Sequence, residues 1–185
     1  IRETRLVNPK TPVSTKMILM RQVVADNEKN GGDSTQVLNL FKRILKQPQE
    51  TSDMAELYAA YMTLKKMPQD SITKVLETVL TISPDNAAAR LQLIQTVWNE
   101  KDFDKVIELS RQALDYNPDE MAFYYFLGLA YVQKDDDDNA LEVFRKGVSQ
   151  IDDESNPDIV SDFYAIMGDI LYSKGQEQEA YAVYD

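Results

Sequence analysis

The side chains that could do chemistry are nearly all carboxylates. Asp135, Asp136, Asp137 and Asp138 form one run, Asp152, Asp153 and Glu154 a second, and Asp162 and Asp169 stand seven residues apart. A run of four carboxylates attracts cations, but a calcium loop alternates its ligands and needs a turn glycine and a distal glutamate. Ala140 and Leu141 follow the first run too closely for that. It reads instead as a solvated turn and helix start, where acidic residues cap backbone N–H groups and oppose the helix dipole. The second run reads as an insertion that lengthens a turn; contact with a basic partner is its sharper alternative. Asp162 and Asp169 share one face of a helix, but ~10 Å separates them along its axis.

Other chemistry is excluded by composition. The chain has no histidine and no cysteine, so disulfides, thiolate nucleophiles, Cys/His zinc sites and Ser-His-Asp triads are ruled out for it. No glycine-rich phosphate loop or nucleophile elbow occurs. No catalytic residue, cofactor or metal is expected, and the chain reads as a non-enzyme. It has 20 Lys and Arg against 31 Asp and Glu in 185 residues, a net charge of −11. Nucleic acid and anionic lipid would both repel it. No apolar run reaches the ~18 residues that cross a bilayer, and no signal peptide is present. The first residue is Ile1 rather than Met, so the compartment stays open: a soluble protein is expected, either cytoplasmic or, if a leader was removed before Ile1, exported or periplasmic.

The elements that must position any site are helices. Residues 1–12 carry Pro9 and Pro12 without periodicity and read as an extended N-terminal arm or linker. Arg2, Arg5, Lys10 and Lys16 against Glu3 give the segment 1–16 a local charge of +3, so an arm folded back on an acidic face is the sharper alternative. From Val13 onward, apolar residues recur at helical spacing. Punctuation divides them into hairpins at about 13–48, 53–82, 86–117, 120–151 and 158–185. Asp33 or Ser34, Asn86 and Asn156 are candidate caps, and Pro157 suits a first helical position. No segment alternates with period two, so strand content near zero is expected.

Spacing inside the chain carries the strongest signal. Leu57 and Leu91, Pro84 and Pro118, and Val106, Leu109 and Ala113 with Ala140, Val143 and Gly147 all match at a shift of 34 residues. A helix–turn–helix unit of that period is a known solenoid repeat. The fourth hairpin has Tyr124, Leu127, Gly128, Tyr131, Ala140, Phe144 and Gly147; the fifth has Tyr164, Met167, Gly168, Gly175, Ala180 and Tyr184, with Leu171 where Tyr is usual. These residues resemble the tetratricopeptide repeat (TPR) family, strongly over 53–185 and by extension over 13–48. The resemblance implies an all-α, right-handed superhelical solenoid of about five antiparallel helix hairpins, the last cut short.

It also implies that the first helix of each hairpin lines a concave groove. The groove positions are then Leu57, Tyr61 and Leu64 in the second hairpin and Leu91, Gln95, Trp98 and Asn99 in the third. Tyr125, Leu129 and Gln133 follow in the fourth, and Asp162, Asp169 and Tyr172 in the fifth. The cationic clamp by which some TPR domains hold a carboxylate is absent, since Leu91, Gln95, Tyr125 and Leu129 occupy its places. The expected function is a non-catalytic scaffold or adaptor that binds a peptide or protein segment in the groove. A rigid spacer in a larger assembly and a regulatory module of a longer multidomain protein are the alternatives. The final helix, with Ala180 and Val183 lacking a following hairpin, is expected to fray or self-associate.

Overall fold

The structure is a computed structural model that describes residues 1–184. Every regular element among them is a helix. The chain forms two compact units, Ile1–Ala89 and the residues from Arg90 onward. The first contains α1 (Arg2–Leu6), α2 (Val13–Lys29), α3 (Ser34–Leu45), α4 (Asp53–Leu64) and α5 (Gln69–Ile82). The unit boundary falls inside α6 (Ala87–Asn99). The second unit continues with α7 (Phe103–Tyr116), α8 (Met121–Gln133), α9 (Asp137–Val148), α10 (Pro157–Ser173) and α11 (Glu177–Tyr184).

Local chemistry sets these limits. Asp33 accepts a hydrogen bond from Thr35 N at 2.8 Å and starts α3. Asn86 accepts from Ala89 N at the start of α6, Asp102 from Lys105 N before α7, and Asn156 from Asp158 N before α10. Each satisfies a donor that the helix leaves unpaired. The turn inside each hairpin closes the same way. Gly32 N, Met67 N, Asp102 N, Asp136 N and Gln176 N donate to the carbonyls of Asn27, Met62, Val97, Tyr131 and Leu171, at 2.9–3.3 Å. This is the six-to-one bond of a Schellman cap, and it demands one left-handed residue. That residue is Gly31, Lys66, Lys101, Asp135 and Gly175 in turn, with φ between 52° and 76°. Only the first and last are glycine, the residue that adopts this conformation without strain.

The N-terminal dozen residues depart from the expected extended arm. Arg2–Leu6 coils into α1, which packs on α2, and Leu6 is fully buried. Arg2 pairs with Asp26 at 2.8 Å, Arg43 with Glu3 at 3.3 Å, and Gln47 donates to the Val7 carbonyl. Both ion pairs are more than half exposed and contribute little. Burial of Leu6 stabilises the segment more, by ~1.5–3 kcal/mol, and one apolar residue gives no periodicity from which to read a helix. In the same unit Phe41 stacks on Tyr58 at 4.8 Å and lies 5.9 Å from Tyr61.

In the second unit α8 packs against both α7 and α9, and α10 packs against α8, α9 and α11. Nearly every residue of α8 from Met121 to Val132 is apolar or aromatic, as a helix flanked on several sides requires. Close approach depends on missing side chains. A Cβ on Gly128 would sit 2.9 Å or less from three atoms of the Phe144 ring. One on Gly147 would meet Tyr124 Cβ at 3.0 Å and the Phe163 ring, and one on Gly168 the Tyr184 ring. Ala140 is fully buried at the start of α9.

Two substitutions test this packing. Ala140→Leu should destabilise by ~1–3 kcal/mol through overpacking, and an unchanged denaturation midpoint would refute the α8–α9 register. Leu6→Ala should cost ~2–5 kcal/mol, whereas Ile1→Ala, at a site 98% exposed, should leave chemical denaturation unaltered.

Candidate functional site

The residues expected to line a groove separate into three groups. In the first unit, Leu57 is half-buried and Leu64 is 63% exposed. Tyr61 is not a surface residue: it is 3% exposed, and its hydroxyl donates to Glu28 Oε1 at 3.2 Å. Lys65 holds the same carboxylate at 2.6 Å, and these bonds keep the Glu28 pKa below its usual value, Lys65 contributing most. Tyr61 is drawn inward because α4 buries residues on more than one side, Met54, Ala55, Tyr58, Ala59 and Met62 among them. A one-face reading of that helix therefore fails.

The second group forms a row of rings across the second unit. Trp98 on α6 meets Phe103 edge-on at 5.1 Å and Phe126 at 5.8 Å. Phe126 meets Tyr125 at 5.8 Å, Tyr125 meets Phe163 at 5.9 Å, and Phe163 meets Phe144 at 5.3 Å. Each such pair contributes ~0.5–1.5 kcal/mol beyond area burial. The row grades from solid core to surface. Phe144 and Phe163 are fully buried, while Tyr125, Phe126, Trp98 and Phe103 keep part of their rings in solvent. Leu91 and Leu129 are half-buried beside it in sequence, and Gln95, Asn99 and Gln133 are exposed.

The third group is the α10 stripe. Asp162 is exposed, and its Oδ2 accepts from Tyr125 OH at 3.4 Å, which joins the stripe to the row. Burial, and secondarily the Asp162 charge, push the Tyr125 pKa up. Asp169 accepts a hydrogen bond from Tyr184 OH on α11, and Tyr172 is 52% exposed. Ala180, expected to lack cover, is fully buried, and Val183 is half-buried. Ser161, Tyr164 and Ala165 of α10 and Ala182, Val183 and Tyr184 of α11 line an open cavity of ≈ 500 Å³.

The four aspartates of the 135–138 run do four different things. Asp135 takes the left-handed turn conformation. Asp136 caps α9 by accepting from Asn139 N and Nδ2, which lowers its pKa. Asp137 lies in the first turn, and Asp138 pairs with Lys174. Among the described residues no three carboxylates converge on a metal position. In the connection 152–156, Asp152 Oδ1 accepts from Glu154 N and Ser155 Oγ, a turn closed on itself.

Apart from Lys101, in the turn between Trp98 and Phe103, the positive side chains of the second unit are engaged by other groups. Lys105 pairs with Glu108, Lys134 with Asp104, Arg145 with Glu179, and Lys146 with Glu142. Arg90, only 6% exposed, lies 4.4 Å from the Tyr116 ring, and Arg111 lies over Tyr131. Among the described residues no Lys or Arg forms an ion pair with Asp162 or Asp169.

Known proteins share this helical fold. The family pattern described as tetratricopeptide repeat matches residues 122–152, the α8–α9 hairpin with its glycine-seated Phe144. That hairpin is a tetratricopeptide repeat. The TPR repeat-containing protein YpiA of Bacillus subtilis (strain 168) is 24% identical over 124 residues, 67% of this chain. The chain spans only 28% of that relative. Among solved structures, the crystal structure of MamA protein superposes with a TM-score of 0.64 at 19% identity, over 91% of this chain and 87% of that one. The 41-end form of MamA from Desulfovibrio magneticus RS-1 gives 0.61 at 16% identity, over 91% and 90%. These likenesses establish the fold class, an all-α solenoid of helix hairpins. Phe103 and Phe126 belong to the ring row through Trp98 and were not among the expected residues. Phe126 falls one position off the series Tyr125, Leu129, Gln133; the cluster Phe123-Tyr124-Tyr125-Phe126 was the available signal.

The Tyr184–Asp169 bond is directly testable. The carboxylate that accepts from Tyr184 OH, with a lesser contribution from burial, raises the tyrosine pKa from 10.0 to about 12. The folded value lies above the unfolded one, so the contribution is complete below pH 10 and is lost as pH rises toward 12. Ultraviolet titration should show one late-ionising tyrosine, and Asp169→Asn should return it toward 10.0. No change in Asp169→Asn would mean the bond is absent.

Proposed function

We propose that this chain is a non-catalytic protein-interaction scaffold that grips an extended peptide segment along the first helices of its second unit. The supporting observation is the ring row Trp98–Phe126–Tyr125, continuous with the core at one end and partly open to solvent at the other. Aromatic side chains fixed by packing lose little entropy on binding and are frequent anchors of interfaces. The exposed amides of Gln95, Asn99 and Gln133 supply donors and acceptors for a peptide backbone. Main-chain contacts with side-chain anchors are a recurrent way of holding extended segments. The groove as a whole, and the membership of Leu91, Leu129, Asp162, Asp169 and Tyr172 in it, belong to this proposal. A spacer role offers no account of half-exposed rings aligned across α6 and α8 and backed by the buried Phe163 of α10.

Selection of short random peptides displayed on phage provides the test. Selected peptides should bind Trp98→Ala or Tyr125→Ala at least ~10-fold more weakly. Circular dichroism checks that each variant is folded. Peptides carrying a photo-crosslinker should mark α6, α8 or α10. Unaltered affinity in both folded variants, or crosslinks confined to α7 and α9, would overturn the reading.

A further inference from the structure

The face described above has a polarity that sets what it can hold. Tyr125 is half-buried and its hydroxyl engages only Oδ2 of Asp162, which leaves Oδ1 of that exposed carboxylate an open acceptor among the described residues. The ring of Tyr125 continues through Phe126 to Trp98, so π-faces and a carboxylate lie within one contiguous patch. About two and three turns on along α10 stand Asp169, exposed and bonded to a neutral tyrosine hydroxyl, and Tyr172. The positive side chains of the unit other than Lys101, which sits in the α6–α7 turn at the Trp98 end, are engaged with other groups, and none forms an ion pair with Asp162 or Asp169 among the described residues. The chain as a whole carries −11.

We infer that the segment bound on this face is cationic: a peptide that places an arginine or lysine against the Tyr125 ring and the Asp162 carboxylate, with an apolar residue beside it for Trp98 and Phe126. The inference rests on the peptide-binding reading of the same face. A guanidinium is held on both of its chemistries there. Its plane stacks on an aromatic face, and its edge donates charge-assisted hydrogen bonds to a carboxylate. An acidic segment meets repulsion from Asp162 and Asp169 and finds no cation at Leu91, Gln95, Tyr125 or Leu129 to offset it. The long-range field acts in the same sense, speeding encounter with positive partners and weakening with salt.

Three fluorescent peptides of one length and one apolar pattern decide this, with arginine, glutamine or glutamate at the same positions. Binding is followed by anisotropy to the protein as it stands. The arginine peptide should bind at least about ten-fold more tightly than the glutamate peptide and lose affinity with rising salt. Asp162→Asn with Asp169→Asn should weaken it about three- to ten-fold, the range expected for two exposed charge contacts. Asp153→Asn with Glu154→Gln removes as much charge from the connection and should have no such effect. Equal weakening in both double variants would reduce the preference to bulk charge and overturn the inference. Equal binding of the arginine and glutamine peptides, still lost in Tyr125→Ala, would overturn the cationic preference but leave the peptide face standing. Binding of all three that is indifferent to Tyr125→Ala would overturn both.

Discussion

An aromatic ring seated where a helix has no side chain is the contact on which the second unit depends. Phe144 on α9 rests on Gly128 of α8, and Tyr184 on α11 rests on Gly168 of α10, across the same number of intervening residues. Phe163 of α10 rests on Gly147 of α9 and so joins one hairpin to the next. Cores tolerate neither voids nor excess volume, so these seats fix how closely the helices approach and at what register. Once Phe163 is placed, Tyr125 has a ring to lie against and a carboxylate, Asp162, within reach of its hydroxyl. The candidate site is thus the solvent-facing edge of the packing rather than a separate construction.

Much of this was legible in the sequence because a repeat states its constraints several times. Gly128, Ala140, Phe144 and Gly147 are readable as a helix-pair interface from their sizes and spacing, and the caps at Asp33, Asn86 and Asn156 from their side-chain oxygens. Three matters were not legible. Tyr61 is buried because α4 has neighbours on more than one side, and a one-face pattern does not report that. Leu6 organises a five-residue helix too short to show a period. Phe126 belongs to the ring row through tertiary contact with Trp98, a pairing between residues 28 positions apart that local spacing does not encode.

The electrostatics follow a similar division. Carboxylates at helix starts are consumed by backbone donors, as at Asp136, or by lysines, as at Asp138. Asp162 and Asp169, farther along α10, bond instead to tyrosine hydroxyls. A neutral donor orients a carboxylate without cancelling its charge, so both are held in place and remain negative. The chain's acidity is therefore distributed unevenly in its chemistry, even though acidic residues occur throughout it.

The connection 152–156 has a practical consequence. It puts Gly168 forty residues beyond Gly128, where neighbouring repeats elsewhere step by 34 or 35, yet the glycine–aromatic seat on its far side is unchanged. The surplus residues close on themselves through Asp152 and Ser155 and lie at the surface. Length is thus rigid within a hairpin and elastic between the last two. For an engineer, that joint is a splice point: a tag or a foreign loop inserted there adds to the exterior without entering the packing that defines the repeat.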